Sequence, residues 1–155
     1  MKVITRELLD KVSAEAGQNP RLRKNYNFHP SDESNCHRLL NAIEPGSYIR
    51  PHRHLDPEKD EGFILMSGRL GIVTFTEDGG VVEMVLLSHA GGSLAADIPH
   101  GVYHTALSLE SGSVFYETKA GPFRKLNEEE KARWAPEESD PQAKEFLMRL
   151  RSLFD

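Results

Sequence analysis

The sequence predicts an all-β domain, a compact sandwich or barrel with a helix at each end. Between residue 38 and about residue 119, short apolar runs at 39–43, 63–66, 70–75, 81–87, 102–109 and 114–117 alternate with turn residues. Asp78-Gly79-Gly80 is a hairpin signal between two such runs. No strand-helix alternation of the kind that builds a nucleotide-binding α/β sheet is present.

Each element has its own local signal. Val3, Ile4, Leu8, Leu9, Val12 and Ala16 recur at helical spacing and stop at Gly17 and Asn19-Pro20, which predicts an amphipathic helix within residues 1–20. Residues 21–37 are basic and polar, show no regular pattern, and are expected to lie over the mouth of the barrel. The barrel itself is assigned to 38–120. Residues 121–155 form a helical tail: Glu128 to Trp134 suggest a short turn, and Asp140-Pro141 opens a final helix with Ala143, Phe146, Leu147, Leu150 and Phe154 on one face. Acids and bases nearly balance in this tail, so it reads as a packing or dimer element.

Composition excludes several function classes. A chain of 155 residues is the size of one domain and folds without a structural metal. The net charge of -5, with basic residues scattered, argues against nucleic acid. The longest apolar run is far short of the ~20 residues of a membrane span, and the charged start leaves no room for a signal-peptide core. The single cysteine, Cys36, allows no internal disulfide and is expected as a small buried residue. The expectation is a cytoplasmic protein with a small-molecule ligand and no membrane partner; a homodimer fits the commonest closed symmetry.

Seven histidines remain to be placed. His52 and His54 stand two apart, which on a strand puts both on one face. With Glu61 and the distant His104 they form a mixed nitrogen and oxygen donor set suited to Fe, Mn, Ni, Cu or Zn. On an octahedral ion, four such ligands leave two positions open. The same strand phase places Tyr48 and Arg50 beside the pair as candidate substrate contacts. Arg50 is read either as a clamp for an anionic group or as an ion-pair partner of an acid such as Glu117. His29 and Asn27, in the polar segment, either fold over the mouth to join the site or cap a loop end. Tyr103 falls in the opposite phase to His104. His100 is expected at a turn surface, and His37 and His89 are expected to be solvated. Without a Gly-x-Ser-x-Gly elbow, a serine hydrolase is not indicated.

Glycine and proline punctuate this set in a way that resembles the cupin family, whose motifs read G-x5-H-x-H-x3,4-E-x6-G and G-x5-P-x-G-x2-H-x3-N. The first motif maps onto Gly46, His52, His54, Glu61 and Gly68, with a longer gap before Glu61 that leaves Glu58 and Asp60 as alternative carboxylates. Spacing to Gly68 favours Glu61. The second maps onto Pro99, Gly101 and His104, with its first glycine displaced to Gly92 and Ser108 in place of Asn. The flanks 23–29, 40–48, 51–54, 121–123 and 134–137 are similar to the WbuC-type cupin metalloproteins, small bacterial proteins often encoded in surface-polysaccharide (O-antigen) clusters. The resemblance implies a jelly-roll barrel with one divalent transition metal (Fe, Zn, Mn or Ni) in its mouth, held by His52, His54, Glu61 and His104. It also implies a metal-dependent enzyme of sugar or nucleotide-sugar chemistry, of isomerase or epimerase type. An Fe(II) dioxygenase or a non-catalytic ligand-binding cupin is compatible with the same ligands.

Overall fold

A computed structural model describes residues 1–155. Eight strands form two antiparallel sheets. The larger has the order β1-β2-β8-β3-β6, with β1 at Arg23–Asn27, β2 at Cys36–Ile43, β3 at Glu61–Ser67, β6 at Ala95–Ile98 and β8 at Ser113–Ala120. The smaller has the order β5-β4-β7, with β4 at Arg69–Phe75, β5 at Val81–Ser88 and β7 at Tyr103–Ser108. Helix α1 spans Arg6–Gln18; α2 spans Gln142–Arg151 and ends in a 3-10 turn at Ser152–Phe154. No helix is long and apolar enough to cross a membrane.

Two-residue alternation sorts the side chains into three apolar layers. Inward-facing Ile43, Phe63, Leu65, Leu70, Ile72, Ala106 and Phe115 fill the space between the sheets. On the outer side of the large sheet, Leu40, Ala42 and Val114 meet Leu9, Val12 and Ala16 of α1. On the outer side of the small sheet, Val73, Phe75, Tyr103 and Leu107 meet Ala143, Leu147 and Leu150 of α2. Both helices therefore bury one stripe on the domain. Thr5 caps α1 by accepting from the Leu8 amide.

The crossing from β3 to β4 is made at Gly68, whose φ is 78°; a Cβ there would stand 2.6 Å from the Ser113 Cα on the adjacent strand. Only glycine satisfies both the backbone angle and the close approach.

Three parts of the chain differ from the sequence expectation. Arg23–Asn27 forms an edge strand paired with Leu39–Ile43 inside the otherwise polar segment. Its alternation is invisible in composition because one face meets a polar cavity and the other is only half covered. Strand β6 is short and lies at the opposite edge, so it too lacks an apolar run. Residues 47–51 are not a strand at all: His52 makes isolated bridges to His104 and to Lys131, and the chain around it is held by Ala132 donating to the Pro51 carbonyl and Arg53 donating to the Glu130 carbonyl. Cys36 is exposed at the start of β2 rather than buried. His37 is buried rather than solvated, stacked on His29 at 4.0 Å between ring centroids.

Leu147, 5% exposed against the small sheet, tests whether the tail belongs to the domain. Leu147→Ala should cost about 2–5 kcal/mol and lower the denaturant midpoint with an unchanged slope, measured by chemical unfolding.

Candidate metal centre

At one end of the barrel the inward-facing residues turn from apolar to ionisable. Below lie Phe63, Phe115 and Ala106; above them the same strands present Glu61 on β3, Glu117 and Lys119 on β8, and His104 on β7, around a small inner cavity. Glu61 and Lys119 are register partners across β3 and β8. The segment carrying His52 and His54 closes the ring from the side.

Ligand atoms of His52, His54 and Glu61 lie within 4.8 Å of one another. His54 Nε2 is 3.0 Å from one Glu61 oxygen, and His104 Nε2 is 2.9 Å from the other. Ions bound at ~2.0–2.2 Å hold adjacent ligand atoms at about 3 Å, which matches the two Glu61 contacts; His104 meets Glu61 but stands outside the three-residue group of His52, His54 and Glu61. The ring orientations fit as well. His52 donates Nδ1–H to the Arg50 carbonyl at 3.0 Å, and His104 donates Nδ1–H to the Val102 carbonyl at 2.9 Å. Each donation goes to the residue two before, and each leaves Nε2 with a lone pair, the usual state of a metal-binding imidazole. With Nδ1–H given to the backbone, His104 Nε2 stands 2.9 Å from a carboxylate oxygen. Two acceptors so close need a positive charge between or beside them, a proton or a metal ion.

Electrostatics favour the deprotonated ligands that metal binding requires. Burial and the neighbouring His104 push His52 down to about 3, so its imidazole is neutral at neutral pH. Burial acts to raise the Glu61 carboxyl, but the Lys119 ammonium and the hydrogen bonds from His104 and His54 prevail and hold it well below the usual carboxylate range. Lys119 lies 2.6 Å from Glu61 and 2.7 Å from Glu117. Burial opposes its charge, yet the two carboxylates raise its pKa. Glu117 is raised by burial against the opposing pull of Lys119, and Asn41 donates to its second oxygen at 2.5 Å.

Of the three candidate carboxylates, Glu61 stands in the cluster. Glu58 is exposed, and Asp60 accepts from the backbone and ring of His100 on the outside. His100 and His89 are exposed. Tyr103 packs in the outer core and donates to the Glu129 carbonyl.

Of the expected substrate contacts, Arg50 lines a cleft shared with His52, while Tyr48 packs in the outer core. Tyr48 is buried against Phe146 and donates to the Pro136 carbonyl at 3.0 Å, and Arg50 pairs with Glu137 and donates to the Ala132 carbonyl. Glu117, the expected ion-pair partner of Arg50, is held by Lys119 instead. Neither lines the inner cavity, because the segment is irregular; Ile49 lines it in their stead. His29 shares its Nδ1 contacts with the Arg38 backbone and touches the outer cleft only through His37. Asn27 is exposed at the end of β1, while Arg23 and Asn25 of that strand line the cavity. Lys119 was legible in principle, two residues beyond Glu117 on the same strand face; Asn41 carries no comparable signal, being one polar residue within an apolar run.

A family model described as "Domain of unknown function (DUF6016)" matches residues 4–87. The chain belongs to this DUF6016 family. The match takes in α1, β1 and the His52, His54 and Glu61 segment, and ends in β5. Among solved structures, KdgF from Halomonas sp. is 19% identical, with 68% of this chain and 84% of that one covered at a TM-score of 0.52. The TT1209 protein from Thermus thermophilus is 20% identical, with 77% and 97% covered at 0.52. The SPY1581 protein of unknown function from Streptococcus pyogenes is 13% identical, with 79% and 90% covered at 0.52. The likeness shows the fold: this DUF6016 chain is a two-sheet antiparallel jelly roll. No curated protein matches it.

Lys119 neutralises two buried carboxylates, so Lys119→Met should destabilise the metal-stripped protein by about 3–5 kcal/mol, measured by urea unfolding in chelator. A smaller loss when the protein is loaded with metal is expected, because the ion takes over the charge of Glu61.

Proposed function

We propose that this DUF6016 chain is a metal-dependent cupin enzyme in which His52, His54, Glu61 and His104 hold one divalent transition metal. The observation that carries the reading is the cluster around Glu61: its two oxygens face His54 Nε2 and His104 Nε2, the ligand atoms of His52, His54 and Glu61 lie within 4.8 Å of one another, and His52 and His104 are each tied through Nδ1 to their own backbone. Such a metal, when bound, supplies Lewis acidity toward a carbonyl or hydroxyl oxygen.

The chain's own residues supply the rest. Glu61 contributes negative charge, and Lys119 fixes its orientation across the strand pair. Glu117 lines the same inner cavity and has its carboxyl pKa raised by burial, which suits it to take or return a proton from a ligand there. Apolar Phe63, Phe115 and Ile49 limit water at the floor of that cavity. Proton transfer beside a polarised oxygen is the chemistry of sugar isomerisation and epimerisation. The WbuC-type resemblance supports a sugar or nucleotide-sugar substrate of surface-polysaccharide metabolism.

The His52→Ala, His54→Ala double variant should lose its metal, read by elemental mass spectrometry on untagged protein, while circular dichroism keeps the β signature. Unchanged metal stoichiometry would sink the site. Predominantly zinc with no oxygen uptake would remove dioxygenase chemistry. Glu117→Gln should lower kcat by about 10²-fold or more with metal content unchanged, once a sugar substrate gives turnover.

A further inference from the structure

Above the cluster lies an outer cleft of about 400 Å³ that reaches His52 and His54. Its lining holds five cationic side chains, Lys59, Lys119, Arg124, Lys125 and Lys131, and no acidic one. Three are matched by carboxylates: Lys119 by Glu61 and Glu117, Arg124 by Glu33 at 2.9 Å, and Lys131 by Glu128 at 2.6 Å. Lys59 and Lys125 have none. Lys59 is only 8% exposed, and its ammonium contacts a single neutral acceptor, the Pro122 carbonyl at 3.2 Å. A buried cation so poorly compensated is costly unless an anion joins it.

Charge and volume define that anion. The cleft has the size of a small-molecule site. Lys59 and Lys125, the two lysines without a carboxylate partner, can together face the charge of about −1.5 to −2 carried by a phosphate monoester at neutral pH, whereas a carboxylate would engage only one of them. Lysine serves phosphate as a point charge and needs no planar fork. We propose that Lys59 and Lys125 form a phosphate subsite beside the metal cluster and that the substrate is a phosphorylated small molecule. This rests on the metal reading for the chemistry performed next to the phosphate.

The test uses the full chain, with metal content measured before and after chelator treatment. Metal-stripped protein is titrated calorimetrically with inorganic phosphate and, separately, with acetate. Saturable phosphate binding is expected, weaker by at least about tenfold in Lys59→Met and in Lys125→Ala, and unchanged in Lys11→Ala on the far helix. Metal stoichiometry on purification should match the wild type in all three variants. Absence of saturable phosphate binding, equal affinity for acetate, or losses no greater than that of Lys11→Ala would overturn the subsite. If Lys59→Met fails to fold, Lys125→Ala decides, since Lys125 is exposed and carries no packing role. Wild-type protein that shows the phosphate pattern but purifies without metal refutes the metal reading alone, so the two failures are separable.

Discussion

Burying the Glu61 carboxylate, 2% exposed, at the mouth of an otherwise apolar barrel is the constraint that organises this end of the molecule. An isolated carboxylate there would be far too costly to leave ionised. Three groups make it tolerable: Lys119 across the strand pair, His54 on one oxygen and His104 on the other. Lys119 in turn draws in Glu117, and Glu117 draws in Asn41. A chain of charge compensation thus runs across β3, β8 and β2, and the proposed metal ion at the histidines would complete it from the opposite side.

The three apolar layers hold this chain in place without touching it. The inner layer sets the spacing of the sheets beneath Glu61, and the two helices pack on the outer faces, away from the polar end. The C-terminal segment has a second task. Its residues 129–132 meet the backbone of Pro51 and Arg53 and the side chain of Arg50, and this contact fixes the histidine segment, which pairs with β7 only through the His52–His104 bridge. Arg53 lies over the Tyr103 ring at 4.4 Å, adding a cation–π contact to the same junction. The tail thereby links the outer core of the small sheet to the position of His52.

Much of the barrel was legible because half-buried strands write a period of two into the sequence. That signal fails where both faces are partly wet. Strand β1 meets polar Asn25 and Arg23 on its cavity side, and β6 is too short to show alternation at all. It fails again at Tyr48 and Arg50, where the segment reads like a strand by residue type but is irregular, so phase alone does not set which way these side chains face. Those two residues are fully used by the tail, on Pro136 and Glu137.

The sequence alone determined the period-two strands, the turn at Gly68, the helical stripes at both ends and the histidines and carboxylate that the chain could bring together. Those features are local: each depends on residue type, backbone freedom and short spacing. Spacing to Gly68 already favoured Glu61 over Glu58 and Asp60; tertiary structure alone decided that Lys119 bridges Glu61 and Glu117, and that Lys59 is buried without a counter-charge. These depend on strand register and on burial between segments far apart in the chain, and the energy of a buried charge is set by its neighbours in space rather than by its neighbours in sequence.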